Sequence, residues 1–229
     1  MTPMSASLTI KLCGLSTPAT LEAALDCGAD MVGFVFFPPS PRHIGFEQAR
    51  DLAAITGSRA LKVALSVDAD DAFLDEIVGA LSPDILQLHG RETPERVAAI
   101  RARYGLPVMK ALGVSAEADF ASLSAYEAVA DRILFDAKPP KDATRPGGNG
   151  HAFDWGLLRS RAFQKPWMLS GGLNGQTIEA AIAATRPPGI DVSSGVESAP
   201  GVKDPALIEA FMARARAAQA ALGSARKTA

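Results

Sequence analysis

Cysteine is scarce in this 229-residue chain: only Cys13 and Cys27 are present. They form no C-x-x-C pair, and the three histidines, His43, His89 and His151, lie far apart. With no metal-ligand spacing visible, neither a structural zinc nor another bound metal is expected. Two thiols in a cytoplasmic chain are normally reduced. No apolar run approaches the roughly 18–20 residues that cross a bilayer, so no membrane partner is expected. Residues 1–7 lack both the positive charge and the apolar core of a secretory signal, which leaves a cytoplasmic address as the expectation. The net charge is only −2. Without a broad basic face, nucleic acid is not an expected partner.

What is present is a repeated alternation. Apolar residues make up 48% and charged residues 21%, an ordinary globular balance. Strand-like apolar runs begin near Leu8, Met31, Leu61, Ile85, Pro107, Arg132, Trp167 and Ile190. Between most of them lie helical stretches rich in alanine, leucine and acidic residues, such as 18–27, 46–55, 70–81, 94–104, 176–184 and 205–222. Ser16-Thr17-Pro18 and Asp204-Pro205 carry helix-start chemistry, and Gly28, Gly57 and Gly105 stand where helices should stop. Strands alternating with helices pair in parallel through right-handed crossovers. Eight such units predict an α/β chain folded as a single (β/α)8 TIM barrel over residues 1–229, with flexible ends at 1–7 and about 223–229. A barrel typically takes about 250 residues. The sixth unit is irregular: the stretch from Lys138 to His151 holds six proline or glycine residues and reads as a long mobile loop, of a length usual for functional lids or for disorder.

Two strand ends carry the clearest chemical signal. Leu169-Ser170-Gly171-Gly172-Leu173-Asn174 and Asp191-Val192-Ser193-Ser194-Gly195-Val196-Glu197 each run from apolar strand into small residues before a helix. Glycine lets a backbone approach a ligand closely, and a helix start offers unpaired N–H groups. Two such turns in succession are what a barrel uses to hold one phosphate, so a phosphorylated small molecule is the expected partner. Polar residues also collect where active sites form. By strand parity Lys11 and Cys13 share the inner face of the first strand, Gln87 and His89 one face of the fourth, and Leu134 and Asp136 one face of the sixth. Lys110 is read as closing the fifth strand at the same mouth, and Asp191 lies on the eighth. A lone strand cysteine is most often a small buried hydrophobe. Aspartate is poor in strands and seldom buried without a partner, for which Lys138 or Lys110 is a candidate.

The chain resembles the phosphoribosylanthranilate isomerase family from Lys11 to about Asp204. The resemblance is carried by Lys11-Leu12-Cys13-Gly14-Leu15, Ser40-Pro41-Arg42, Leu86-Gln87-Leu88-His89-Gly90, Leu134-Phe135-Asp136-Ala137, Gly147-Gly148-Asn149-Gly150 and Phe153-Asp154-Trp155. It continues through both strand-end turns and Gly201-Val202-Lys203-Asp204. The family's lid usually reads Gly-Gly-Thr-Gly, where this chain has Asn149, and Ser170 stands where alanine is common. The resemblance implies an Amadori rearrangement of N-(5-phosphoribosyl)anthranilate to an aminoketose in tryptophan biosynthesis. By matching position Asp136 is the general acid and Cys13 the general base. Arg42 matches the residue that holds the anthranilate carboxylate, and His89 and Asp191 are the other substrate-binding candidates. Gly147, Gly148, Gly171, Gly172, Ser194 and Gly195 are the phosphate-binding candidates, with Gly147 and Gly148 in a lid above.

These roles make demands that the residues can meet. A thiol needs its pKa lowered modestly to act as a base near neutral pH, and Lys11 is a possible source of positive potential. An aspartic acid must instead be helped to keep its proton, by an apolar wall or a neighbouring anion. The expected site uses no cofactor. Three other readings stay open to the sequence. One is the aminoaldose isomerase of histidine biosynthesis, which has aspartate where Cys13 stands. Another is an aldolase-like barrel with Lys110 as Schiff-base lysine, and the third is a silent phosphate-binding scaffold. A monomer is the default expectation, with a homodimer left open.

Overall fold

The computed structural model describes residues 8–138, 147, 152–159 and 161–225. Eight parallel strands close into a barrel in chain order, β1-β2-β3-β4-β5-β6-β7-β8. They are β1 (Thr9–Cys13), β2 (Met31–Phe36), β3 (Leu61–Ser66), β4 (Ile85–Leu88), β5 (Val108–Val114), β6 (Arg132–Ala137), β7 (Trp167–Leu169) and β8 (Gly189–Val192). Each begins within one residue of its expected start. Closure comes from β1 pairing with β8, in a register that sets Lys11 beside Asp191.

Among the described residues eight helices follow the strands: α1 (Pro18–Asp26), α2 (Phe46–Thr56), α3 (Asp71–Leu81), α4 (Pro94–Tyr104), α5 (Leu123–Val129), α6 (Gly156–Arg159), α7 (Ile178–Thr185) and α8 (Pro205–Ala225). Their starts are chemically marked. Thr17, Asp70 and Thr93 each accept a backbone N–H from the first turn, and Asp204 accepts from Ala206. Gly28, Gly57 and Gly105 take φ of 73°, 53° and 63° at helix ends, as expected. The two helices without a strong sequence signal are α5 and α6, of seven and four residues. Beyond β8 a two-stranded hairpin, β9 (Glu197–Ala199) with β10 (Val202–Lys203), precedes α8.

Strand parity sorts the side chains into two cores. Ile10, Leu12, Val32, Phe34 and their counterparts face the helices in the larger one. Met31, Val63, Ile85, Met109, Ala111, Leu134 and Met168 fill the barrel interior, and Cys13, Val35 and Leu65 lie together as a separate cluster. This parity corrects the reading of Lys110. Because Met109 and Ala111 point inward, Lys110 points out, beneath the loop that follows β4. There it pairs with Glu92 at 2.8 Å, donates to the carbonyls of Leu88 and Gly90, and lies 5.7 Å from the centre of the Tyr126 ring. Glu92 in turn accepts the backbone N–H groups of Asp68 and Gly90. Both charges are almost wholly buried, so removing one strands the other. Lys110→Met should destabilise the fold by about 3–5 kcal/mol. Urea unfolding would measure it, and the double variant Lys110→Met/Glu92→Leu should regain most of the loss.

Candidate active site

A cleft of about 780 Å³ opens at the C-terminal ends of the strands, where barrel active sites form. Cys13, Arg42, His89, Asp136, Gly147, Gly171, Gly172, Asp191 and Ser194 all line it. Of the expected site residues among those described, Gly195 alone is not in the lining, packing instead against the Leu173 carbonyl of the neighbouring turn; Gly148 lies outside the described residues. Lys110 is absent from the lining, which removes the Schiff-base reading.

Cys13 ends β1, buried at 4% exposure. Its neighbour across the sheet is Gly33, where a Cβ would stand 2.9 Å from the Cys13 sulfur and 3.1 Å from Lys11 Nζ. Only glycine at that point lets thiol and ammonium share the space. Lys11 is fully buried and bonds Asp191 Oδ1 at 2.9 Å. Burial works against its charge, but Asp191 and Cys13 outweigh that and leave its pKa raised. For Cys13 burial is the larger influence and pushes the thiol up, with Lys11 pulling the other way. The sequence reading wanted a lowered thiol. The structure supplies the expected cation, yet desolvation wins.

Asp136 lies on β6 with its inner neighbour Leu134 in the barrel core. Its partner is neither Lys138 nor Lys110. Lys138 pairs with Asp119 at 2.6 Å, and Asp136 Oδ2 stands 3.3 Å from His89 Nε2. Its other oxygen accepts the Ala137 N–H. His89 follows β4, held by a backbone bond from its N–H to Ser66 O.

Arg42 comes from the loop after β2 and is fixed bidentately by Glu197, at 2.6 and 2.8 Å. Glu197 also receives Lys203 Nζ at 2.7 Å. Burial disfavours the Glu197 carboxylate, but the two cations prevail and hold its pKa down at about 2. Lys203 reaches further, donating to Ser193 O and Oγ, while Ser193 Oγ donates to the Cys13 carbonyl. One ammonium thus ties the arginine loop, the β8 turn and β1 together. Glu197 and Lys203 lie in two of the segments that carry the family resemblance, which assigns them no role. Their only sequence signal is opposite charge across a short Pro-Gly turn.

The two small-residue turns abut. Gly171 and Gly172 take φ of 85° and 68°, and Gly195 packs directly on the Leu173 carbonyl. Thr177 Oγ1 donates to Gly172 O and braces the first turn. Asn174 Oδ1 accepts the N–H groups of Gln176 and Thr177, so it occupies donors just before α7. An anion between the turns would meet backbone from the turns themselves more than from that helix end.

Residues 10–214 match the family model described as N-(5'phosphoribosyl)anthranilate (PRA) isomerase. The chain belongs to the phosphoribosylanthranilate isomerase family. It is 63% identical over 213 residues to the N-(5'-phosphoribosyl)anthranilate isomerase of Bradyrhizobium diazoefficiens, covering 93% of this chain and 96% of the relative. The Rhodopseudomonas palustris (strain HaA2) enzyme is 61% identical, with 93% and 98% covered. Among solved structures, phosphoribosyl anthranilate isomerase from Thermotoga maritima superposes with a TM-score of 0.82 at 36% identity, covering 92% and 100%. A phosphoribosyl anthranilate isomerase in complex with reduced 1-(o-carboxyphenylamino)-1-deoxyribulose 5-phosphate superposes at 0.79, with 33% identity and 92% and 100% covered.

Proposed function

We propose that this protein isomerises N-(5'-phosphoribosyl)anthranilate to 1-(2-carboxyphenylamino)-1-deoxyribulose 5-phosphate in tryptophan biosynthesis, with Asp136 as general acid and Cys13 as general base. The observation that carries the reading is that β1 and β6 bring a thiol and a carboxyl to one cleft, beside two abutting small-residue turns. Asp136 gives a proton to the furanose oxygen as the C1–O bond breaks, leaving an iminium at C1. The Cys13 thiolate then takes the C2 proton; the C2–H bonding pair becomes the C1=C2 bond of the enolamine and the iminium nitrogen recovers its lone pair. That species becomes the ketone by gaining a proton at C1 and losing one from the C2 hydroxyl. Phosphate rests against Gly171, Gly172, Ser194 and Gly195, which leaves the sugar within reach of both groups. Asp191, bonded to Lys11 in the cleft wall, faces the ribose hydroxyls.

The test is direct: loss of the fluorescent anthranilate adduct should follow addition of the protein. Turnover of the histidine-pathway aminoaldose in its place, with none of the anthranilate adduct, would overturn the substrate assignment. Arg42 is assigned to the anthranilate carboxylate, with Glu197 orienting its planar fork. Hydrogen bonds to charged groups contribute about 1.5–3 kcal/mol. Arg42→Ala should therefore raise KM by roughly 10–100-fold and leave kcat within a few-fold. An unaltered KM would remove the clamp.

A further inference from the structure

Gln87 and His89 alternate on the inner face of β4, above Ile85 of the barrel core. Gln87 is fully buried, and its amide nitrogen stands 3.1 Å from His89 Nδ1. The opposite ring nitrogen faces Asp136 at 3.3 Å. Amide, ring and carboxyl therefore form one chain that ends at the cleft. The Gln87 carbonyl oxygen is buried without a hydrogen-bond partner among the described residues. A buried amide oxygen left unmatched is costly, so this glutamine is more than filler for the barrel. Gly147 closes over the pair: a Cβ there would lie 2.6 Å from Asp136 Oδ2 and 2.7 Å from His89 Nε2.

We propose that His89 shares and returns the proton of Asp136, with Gln87 setting the ring's protonation by presenting either end of its amide to Nδ1. This rests on the assignment of Asp136 as the acid. With the amide oxygen toward the ring, Nδ1–H donates to Gln87 and Nε2 shares one proton with Asp136. That proton lies on nitrogen or on oxygen, and only its position along the Nε2–Oδ2 line differs. Passing from Nε2 to Asp136 to the furanose oxygen, it leaves a carboxylate and a neutral ring. One proton, from solvent or from the C2 hydroxyl as the ketone forms, restores the pair. With the amide nitrogen toward the ring, Nδ1 accepts and Nε2–H donates to the carboxylate; this tautomer holds as many protons as the spent pair and is loaded by one more at Nδ1 as the amide turns. Ring nitrogen and carboxyl oxygen stand 3.3 Å apart, close enough for one proton to pass between them.

The surrounding charges leave this pair to itself. Lys110 is committed to Glu92 and Lys138 to Asp119. Across the cleft Lys11 faces Asp191 and Cys13, and Arg42 with Lys203 faces Glu197.

His89→Gln keeps a neutral polar group but cannot carry the extra proton, so kcat should fall by roughly 10²–10⁴-fold with KM within a few-fold. His89→Gly should show the same loss, and added imidazole should restore at least about tenfold of it, whereas isosteric pyrrole should not. Both variants are compared with Asp136→Asn, their folding checked by thermal melting. On the unmodified protein, 15N-histidine NMR between pH 5 and 9 should show the His89 nitrogens titrating, and Asp136→Asn should change that titration. Wild-type kcat in His89→Gln, rescue by pyrrole equal to that by imidazole, or a His89 titration indifferent to Asp136→Asn would overturn the relay. Those results beside an inactive Asp136→Asn variant would leave the acid standing. An active Asp136→Asn variant would remove acid and relay together.

Discussion

Replacing Cys13 by serine is expected to lower kcat by roughly 10³-fold while changing KM only a few-fold. The substitution is close to isosteric, and the surrounding Val35 and Leu65 side chains ask only for a small group. What changes is basicity. A hydroxyl in this pocket has almost no anionic fraction at neutral pH, whereas a thiol retains some even when burial opposes it. Steady-state assay of the two proteins checks this, and activity within tenfold of the parent would move the base elsewhere.

The same geometry fixes how the thiol responds to pH. Burial raises its pKa and the Lys11 ammonium partly offsets this. Below its pKa a thiolate fraction grows tenfold per pH unit. Alkylation of Cys13 by iodoacetamide should therefore keep accelerating through pH 8 and level off only above the ordinary thiol range. Lys11→Met removes the favourable cation, so the plateau should move to still higher pH. A plateau that moved down instead would show that Lys11 does not set the thiol's charge. The lysine is itself held by Asp191, with which it shares a register position on paired strands. Closure of the barrel thus places a charge beside the thiol.

The barrel was legible because its strands are short apolar runs ended by small residues; parity sorted Cys13, His89 and Asp136 by face, and the barrel's closure put them with Asp191 at one mouth. Lys110 shows where that reading stops. Its outward direction follows from Met109 and Ala111 filling the interior, and its partner Glu92 sits in a loop 18 residues away. No local pattern names such a partner. The helix α5 escaped for a different reason: seven residues span about two turns, too few for an apolar period to stand out. Glu197 and Lys203 were visible as charges, but only the folded hairpin brings them onto Arg42 and Ser193. Gln87 was likewise visible only as a member of an inner face.

Asp136→Asn should lower kcat by roughly 10³–10⁴-fold, equivalent to about 4–5.5 kcal/mol of lost transition-state stabilisation. Asparagine keeps the shape and can still accept the Ala137 N–H, so β6 and the neighbouring turn should remain in place. It has no proton to give. Ring opening without an acid must expel an alkoxide, a far poorer leaving group than an alcohol, and the effect should fall on kcat. Product affinity should stay within a few-fold of the parent value, because the contacts proposed for phosphate and carboxylate come from other loops. Fluorescence titration with the aminoketose and a steady-state assay separate the two quantities. A variant that binds product normally yet turns over at the parent rate would end the assignment of Asp136 as the acid. Loss of affinity in step with rate would make it a substrate anchor.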